Sequence, residues 1–191
     1  MTEDITLSCR CGKLKARLSD VGPQTGTHIL CHCADCRATY NHLGVTDYGD
    51  ESIDLFQTSP DKLTILQGGE NLALMRLSKR GLLRWYAKCC NTPMFNTLAS
   101  PKLPFVAVHA ATMDSPEAIG PVKGEGFVRN RNGKVGHKGG LRIAAGVIGR
   151  MAKARLSGRW RDTPFFDAST LEPVVPAEIL SREERRKATP H

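Results

Sequence analysis

Short runs of alternating apolar and polar residues occupy the chain between positions 5 and 110. Leu14, Ala16 and Leu18 alternate with Lys15 and Arg17, and this period of two is typical of a half-buried strand. Similar strand-like runs cover 5–9, 28–33, 63–67, 72–77, 82–86 and 105–110. Turn-forming residues separate these runs, and short strands at this spacing predict a mainly β body of antiparallel sheets.

The pattern changes after residue 113. Residues 120–140 are rich in Gly, Lys, Arg and Asn, and we expect a long loop there. Apolar residues then recur at helical spacing on one face: Leu141, Ala144, Ala145, Ile148 and Ala152. Gly158 would end this helix, and a second short helix is expected near 181–187. The sequence thus predicts a β domain over 1–115 and a basic extension of loop, helix and tail over 116–191 that packs on it.

The composition indicates a thin hydrophobic core. Hydrophobic residues make up 40% and aromatic residues 6% of the 191 positions, so crosslinks through metal would add useful stability. The formal net charge of +8 could attract an anionic substrate or nucleic acid. A basic surface that only keeps the protein soluble is the simpler interpretation, and we expect no nucleic-acid partner.

The sequence shows neither a targeting signal nor a candidate membrane span. Residues 1–8 carry Glu3 and Asp4, and the longest small-apolar run covers only 143–149. We therefore expect a soluble, cytoplasmic protein with no membrane partner. Thiols stay reduced in that compartment, so clustered cysteines there indicate metal binding or catalysis rather than disulfides.

All seven cysteines fall into three groups: Cys9-x-Cys11, Cys31-x-Cys33-x-x-Cys36 and Cys89-Cys90. Residues two apart in a strand face the same side, so the first pair can present two thiolates to one ion. A tetrahedral structural zinc needs four ligands. The last pair contains the only cysteines left outside the middle group, and it would complete the set.

The middle group supplies three thiolates within six residues. Cys31 and Cys33 share a side of the chain, and a turn through Ala34 and Asp35 can bring Cys36 round to them. Three protein ligands with one open position is the pattern of catalytic zinc sites. We therefore expect two zinc ions per chain, with Cys31, Cys33 and Cys36 at the catalytic one. A redox role for Cys89 and Cys90 is a weaker alternative.

These motifs resemble those of the glutathione-dependent formaldehyde-activating enzyme family, which includes the centromere protein V domain. The segment Leu30-Cys-His-Cys-Ala-Asp-Cys-Arg37 is similar to the family's C-H-C-x-x-C-R signature. Cys9-Arg-Cys11-Gly12 resembles its opening C-x-C-G, and Cys90-Asn-Thr-Pro93 resembles its C-G-T-P. The resemblance covers roughly residues 5 to 113 and implies a β-tent of short antiparallel sheets organised by zinc.

The resemblance also implies a function. The family's founding activity joins formaldehyde to glutathione, so a carbon–sulfur lyase-like enzyme acting on an adduct such as S-hydroxymethylglutathione is expected. The catalytic zinc would lie at Cys31, Cys33 and Cys36, and the structural one at Cys9, Cys11 and Cys90. No glutathione-contacting residue carries over from the family. The alternative is a non-catalytic zinc module that binds protein or nucleic acid.

One departure from the family leaves the ligand count open. The family's later pair is C-x-x-C, and its first cysteine would fall at Ala87, whereas Cys89 is adjacent to Cys90 here. Adjacent residues in a strand face opposite sides. Either the chain turns at Lys88 and all four cysteines bind, which we favour because turn residues follow at once, or Cys90 binds without Cys89.

Overall fold

The computed structural model describes residues 2–45 and 52–190, which contain twelve strands and three α-helices. The strands are β1 Glu3–Ser8, β2 Lys15–Val21, β3 Thr27–Cys31, β4 Ile53–Thr58, β5 Leu63–Gln67, β6 Leu72–Arg76, β7 Leu83–Ala87, β8 Thr92–Thr97, β9 Val106–His109, β10 Gly124–Arg129, β11 Val135–Lys138 and β12 Ala177–Ile179. The helices are α1 Ala34–His42, α2 Gly140–Leu156 and α3 Arg182–Ala188. The expected mainly β fold with a helical C-terminal part is confirmed.

The strands form two sheets. The smaller has the order β1-β2-β5, and the larger has the order β11-β10-β3-β4-β9-β8-β7-β6-β12. Neighbouring strands are antiparallel except at two places, where β10 pairs with β3 and β12 pairs with β6 in parallel. Both parallel pairs are made by strands that follow residue 120, and these strands extend the larger sheet at both edges.

The main core lies between the two sheets. Alternation along β2 and β7 places Leu18 and Trp85 in this layer, where both are almost fully buried. Phe165 and Phe166 come from the C-terminal part and pack against the Trp85 ring, with centroids 4.9 Å and 6.4 Å away. Trp85 also donates from Nε1 to Thr97 Oγ1 at 2.9 Å.

The opposite face of the larger sheet carries a second, smaller cluster beneath α1. Ile29 on β3, Leu55 on β4 and Ala107 on β9 face this side, where Cys31, Cys36 and Tyr40 join them. Next to Leu55 and Ala107 in sequence, Phe56, Val106 and Val108 face the main core, as the period of two requires. The larger sheet therefore separates the main core from the cysteine triplet.

Residues 120–140 do not form the long loop expected from their composition. They form the β10–β11 hairpin, which joins the larger sheet because Gly124 and Gly126 pair with Ile29 and Cys31 of β3. An added Cβ at Gly124 would lie 2.5 Å from the Lys138 carbonyl oxygen, so glycine at this position permits the close approach of β10 and β11.

The helix expected after residue 140 is present as α2, but its apolar stripe faces solvent. Leu141 is 91% exposed and Ile148 is 66% exposed, whereas Ala154 is fully buried. The side that contacts β10 and β3 carries Ile143, Gly146 and Arg150 instead, and Arg150 donates to Thr27 Oγ1 at 2.8 Å. Helical periodicity identified the element correctly but did not identify its buried face.

Among the described residues, no helix is both long and apolar enough to cross a membrane.

His28 connects three parts of the chain. Its Nδ1 lies 2.6 Å from the Gly120 carbonyl oxygen and its Nε2 lies 2.7 Å from Asp54 Oδ1. Both partners accept hydrogen bonds, so the doubly protonated imidazolium suits this position best. Burial opposes the charge, but the hydrogen bonds that His28 donates to Asp54 and to the Gly120 carbonyl outweigh this effect, and the pKa of His28 is raised above its usual value.

The exposed stripe of α2 can be tested by a matched pair of substitutions. Ile148→Gln should change the free energy of unfolding by less than about 0.5 kcal/mol, because the side chain lies in solvent. Ala154→Leu should cost about 1–3 kcal/mol, because it overfills a buried position on the same helix. Urea denaturation of the metal-loaded variants measures both. A larger loss for Ile148→Gln than for Ala154→Leu would contradict this orientation of α2.

The His28 contacts predict a pH dependence of stability. A raised folded-state pKa contributes stability that is fully present below the unfolded pKa of about 6.5 and is lost as the pH rises through the folded pKa. His28→Gln should therefore lower the free energy of unfolding by about 1.5–3 kcal/mol at pH 6, the range for a hydrogen bond to a charged group. The difference from wild type should shrink toward pH 8.5 in urea denaturation curves. A difference that stays constant with pH would show that His28 is neutral in the folded protein.

Candidate metal centres

Four cysteines from two distant turns meet at the end of the main core. Cys9 and Cys11 lie in the turn that joins β1 to β2, and Cys89 and Cys90 lie in the turn that joins β7 to β8. Their four Sγ atoms all lie within 4.8 Å of one another. Because β1 belongs to the smaller sheet and β7 to the larger, this four-sulfur cluster links the two sheets.

The sulfur spacing of the four-sulfur cluster fits a tetrahedral ion. The Sγ of Cys9 lies 3.6 Å from that of Cys11 and 3.8 Å from that of Cys89, and Cys11 and Cys89 are 3.3 Å apart. Four thiolates at about 2.3 Å from a zinc ion would lie about 3.8 Å from one another. A disulfide would need about 2.05 Å. The residues thus fit a metal ion, and all seven cysteines are free thiols.

The turn at 88–91 decides how the adjacent cysteines can share one site. Cys90 N donates to the Ala87 carbonyl at 3.2 Å, and Asn91 adopts a left-handed conformation with φ of 55°. This turn brings the Cys89 and Cys90 sulfurs 3.9 Å apart, although adjacent strand residues would face opposite sides. Of the two arrangements considered for this pair, the structure has the turn that brings all four sulfurs together.

The cysteine triplet forms where β3 ends and α1 begins. Cys31 is the last residue of β3, and Cys33 is the N-cap of α1, with its Sγ accepting from Cys36 N at 3.3 Å. The Cys31 Sγ lies 3.4 Å from that of Cys33 and 3.6 Å from that of Cys36. The N-terminal end of a helix favours negative charge. The strand-to-helix turn thus gathers three sulfurs where thiolates are stabilised.

Within residues 2–45 and 52–190, no fourth Cys, His, Asp or Glu ligand atom lies within 4.8 Å of all three triplet sulfurs. His32 lies between two of the cysteines but turns toward β10, where its Nε2 is 3.2 Å from Glu125 Oε2. Asp35 points to α3 and contacts Arg185 Nη2 at 3.2 Å. A metal ion bound by Cys31, Cys33 and Cys36 would therefore keep a position for another ligand.

Arg84 places a buried positive charge against the triplet. It lies on β7 with only 4% of its surface exposed, and its Nη1 is 3.7 Å from Cys36 Sγ. No carboxylate pairs with it among the described residues. An unpaired buried charge is costly, so the site needs a compensating negative charge. Three thiolates around a divalent cation carry a net charge of −1 and supply it.

The sulfurs of the triplet share protons unequally. Contacts with the Cys31 and Cys33 thiols, with added attraction from Arg84, hold the pKa of Cys36 well below its usual value. Donation to Cys33 and Cys36 raises the pKa of Cys31. One thiolate is thus stable in the cluster by itself, whereas three thiolates need a cation among them.

A buried hydrogen-bond chain holds Arg84 in place. Arg84 donates to Asn96 Oδ1 at 3.2 Å, so the Asn96 amide nitrogen faces His109 Nε2, 3.0 Å away. His109 Nδ1 lies 2.7 Å from the Tyr40 hydroxyl. Burial, with a smaller effect of Arg84, lowers the pKa of His109 to about 3, so its ring is neutral. Nε2 then accepts from Asn96 and Nδ1 donates to Tyr40.

Sequence reasoning missed this chain of residues. Arg84 was part of a predicted strand, but periodicity places a residue on a face without revealing what it contacts. Asn96 lies in β8, which was not predicted because the strand begins within the turn-forming residues Asn91-Thr92-Pro93. His109 was in a predicted strand, and Tyr40 lay in a segment with no prediction. A charged residue in an otherwise apolar strand was the one available signal.

The triplet opens onto a cavity of about 490 Å³ on the larger sheet. Cys31, Cys33 and Cys36 lie in its wall together with Arg84 and Asn96. This volume is within the usual range of small-molecule sites. The four-sulfur cluster does not border this cavity. The triplet thus lines a cavity that can hold a ligand, whereas the four-sulfur cluster lies outside this cavity.

Comparisons with known proteins show the family. The family model described as "Family of unknown function (DUF6151)" matches residues 1–178, so the chain belongs to this family. No curated protein matches the sequence significantly. A crystal structure of a Rhodobacter sphaeroides protein is similar with a TM-score of 0.43 and 19% identity, covering 61% of this chain and 96% of that one. The resemblance to formaldehyde-activating enzymes rests on the sequence motifs.

The geometry predicts two metal ions per chain, held independently. Wild-type protein loaded with zinc should carry two ions in native mass spectrometry, and Cys36→Ser should carry one. Cys89→Ser should also lose an ion and should lower the melting temperature more, because the four-sulfur cluster links the two sheets. Each variant is the control for the other. Retention of both ions in Cys89→Ser would show that Cys89 is not a ligand.

Proposed function

We propose that this member of the DUF6151 family is a zinc-dependent carbon–sulfur lyase-like enzyme that acts on a thiol–aldehyde adduct. The observation that carries the proposal is the three-sulfur group with a free ligand position beside a cavity, next to a buried arginine. A zinc ion held there would supply an open coordination position that binds a thiol sulfur and lowers its pKa. The motif resemblance to formaldehyde-activating enzymes supports the same reaction class.

The proposed reaction needs no oxidant or reductant. A hemithioacetal, R–S–CH(OH)–R′, breaks its carbon–sulfur bond, and the electron pair of that bond goes to sulfur. The hydroxyl oxygen forms the aldehyde double bond, and its proton ends on the thiol, giving R–SH and R′–CHO. The reverse reaction joins the two. The activity is a lyase reaction in one direction and an activation of the aldehyde in the other.

The protein's own residues would favour charge on sulfur. Arg84, held by Asn96, places its buried guanidinium beside Cys36, where it stabilises negative charge. His109 is neutral and buried, so it orients Asn96 and adds no competing charge. The adduct would lie in the cavity with its sulfur toward the triplet.

The second cysteine group would have a structural role. Cys9, Cys11, Cys89 and Cys90 would hold a zinc ion that fastens the β1–β2 turn to the β7–β8 turn. Arg10 reinforces this junction, because it donates from Nη2 to the Cys90 carbonyl at 2.9 Å and from its backbone to Thr92 Oγ1 at 3.1 Å. The ion would stabilise β7, the strand that carries Arg84.

The reaction is tested by exchange spectroscopy. Zinc-loaded protein should accelerate exchange between free formaldehyde and hydroxymethyl thiol adducts in two-dimensional NMR, with glutathione and with simpler thiols as substrates. Arg84→Gln should lower the rate by about 10- to 100-fold, the usual effect of losing a group that supports a metal ligand. Arg17→Gln is the matched control, because Arg17 lies on the smaller sheet.

Three outcomes would each count against one part of this proposal. A protein that carries two zinc ions but accelerates exchange with no thiol would favour the non-catalytic zinc module. A rate that survives Cys36→Ser with one ion lost would place the chemistry elsewhere. Equal rates in Arg84→Gln and wild type would remove Arg84 from the mechanism.

A further inference from the structure

We infer that the cavity beside the triplet selects a thiol, or thiol adduct, with an apolar body, and that Phe127 is the residue that sets this preference. The inference rests on the proposed function, since it names the substrate class of that site. It departs from glutathione as the expected partner. Four features of the cavity carry it: an apolar floor, the absence of an available cation in the described lining, an unpaired acceptor on Gln57, and an aromatic residue in the wall.

The floor of the cavity is apolar. Ile29, Leu55 and Ala107 face it from three neighbouring strands, β3, β4 and β9. Leu82 and Phe105 add apolar surface to the wall. Substrate atoms that cover these side chains gain by leaving water, whereas charged groups placed on them would lose hydration without a partner.

The charged residues of the lining already have partners. Arg84 is the one cation among the described residues that line the cavity, and it is engaged with Cys36 and Asn96. Asp35 is the one acid, and it contacts Arg185. Glutathione carries two carboxylates and an ammonium group. The described lining thus offers glutathione's carboxylates no uncommitted cation.

Gln57 is the polar group available for a neutral partner. It lines the cavity from β4, and its Oε1 is buried without a hydrogen-bond partner in the described structure. A buried acceptor left unpaired is unfavourable, so a ligand that donates one hydrogen bond would be stabilised here. An uncharged hydroxyl is enough for this, and a thiol–aldehyde adduct has one. The position therefore suits a ligand with one neutral polar group.

Phe127 adopts a backbone conformation that aromatic residues rarely take. Its φ is 61°, at a register shift between β10 and β11. Its amide donates to His137 Nδ1 at 3.2 Å, and the preceding Gly126 carbonyl accepts from His32 N at 2.9 Å. These contacts hold the bulge on both sides. An unfavourable φ that is held so firmly indicates a functional reason for the side chain.

Phe127 lies in the cavity wall, and 47% of the residue is exposed. Only the His137 ring packs against it closely, edge to face with centroids 4.9 Å apart, among the aromatic contacts of the described residues. Such a half-covered aromatic ring is suited to contact an apolar ligand. Phe127 is thus assigned as a specificity-determining residue, distinct from the residues that hold metal.

The test measures thiol affinity of zinc-loaded protein by isothermal titration calorimetry. The probes are 2-phenylethanethiol, 2-mercaptoethanol and glutathione, with 2-phenylethanol as an analogue that lacks the thiol. Wild type should bind 2-phenylethanethiol at least about tenfold more tightly than glutathione. Phe127→Gly should weaken 2-phenylethanethiol about tenfold and leave 2-mercaptoethanol unchanged. Glycine accepts the positive φ at this position, so the variant should fold and keep both ions.

Val135→Ala is the matched control. Val135 is an exposed apolar residue on the adjacent strand β11, outside the cavity lining. Its substitution by alanine should therefore leave the affinity for every probe unchanged. Glutathione binding as tightly as 2-phenylethanethiol would overturn the inference and leave the proposed function intact. So would equal weakening of every thiol in Phe127→Gly.

The 2-phenylethanol arm separates the two proposals. If no thiol binds better than its thiol-free analogue, the proposed zinc–thiol function fails. Apolar selection by the cavity would still be supported in that case by 2-phenylethanol binding that Phe127→Gly weakens. If 2-phenylethanol binding is absent or insensitive to Phe127→Gly, and thiols show no apolar preference, the inference fails.

Discussion

Seven cysteine sulfurs are gathered into two groups, and the negative charge that such groups develop must be balanced. Thiolates within 4.8 Å of one another repel unless a cation lies among them. The four-sulfur cluster joins turns from both sheets, so the position of one sheet on the other depends on this balance. In small zinc proteins the corresponding binding energy is about 10–16 kcal/mol. That is of the same size as the whole net stability of a typical domain, about 5–15 kcal/mol.

Charge balance also explains the polar residues on the far side of the larger sheet. A buried arginine without a carboxylate would destabilise an ordinary core. Arg84 is tolerated because Cys36 offers it a thiolate and Asn96 offers it an oxygen. Asn96 is in turn oriented by His109, and His109 by Tyr40. Each side chain pairs the hydrogen-bonding groups of the next, so the network is stable, although burying any one of these polar side chains alone would be unfavourable.

The larger sheet gives its two faces different roles. One face packs against the smaller sheet and contains the large buried aromatic residues, including Trp85 and Phe165. The other carries the triplet and its cavity, where three cysteine sulfurs and an apolar floor replace tight packing. A closed four-sulfur group and an open three-sulfur group thus lie on one scaffold. The first suits structure because it offers four sulfurs to one ion, and the second suits chemistry because its three sulfurs line a cavity that can hold a ligand.

The sequence by itself determined most strands of the β body, though not β4 or β8, together with the grouping of the cysteines and the presence of α2, because these depend on local spacing. It could not decide whether Cys89 joins Cys9, since that depends on a left-handed turn at Asn91. It also could not show that the apolar stripe of α2 faces solvent, or that residues 120–140 pair with β3. Arg84, Asn96 and Phe127 acquire their roles only through contacts between distant strands. Periodicity reports the faces of an element, whereas the tertiary structure decides which face meets which partner.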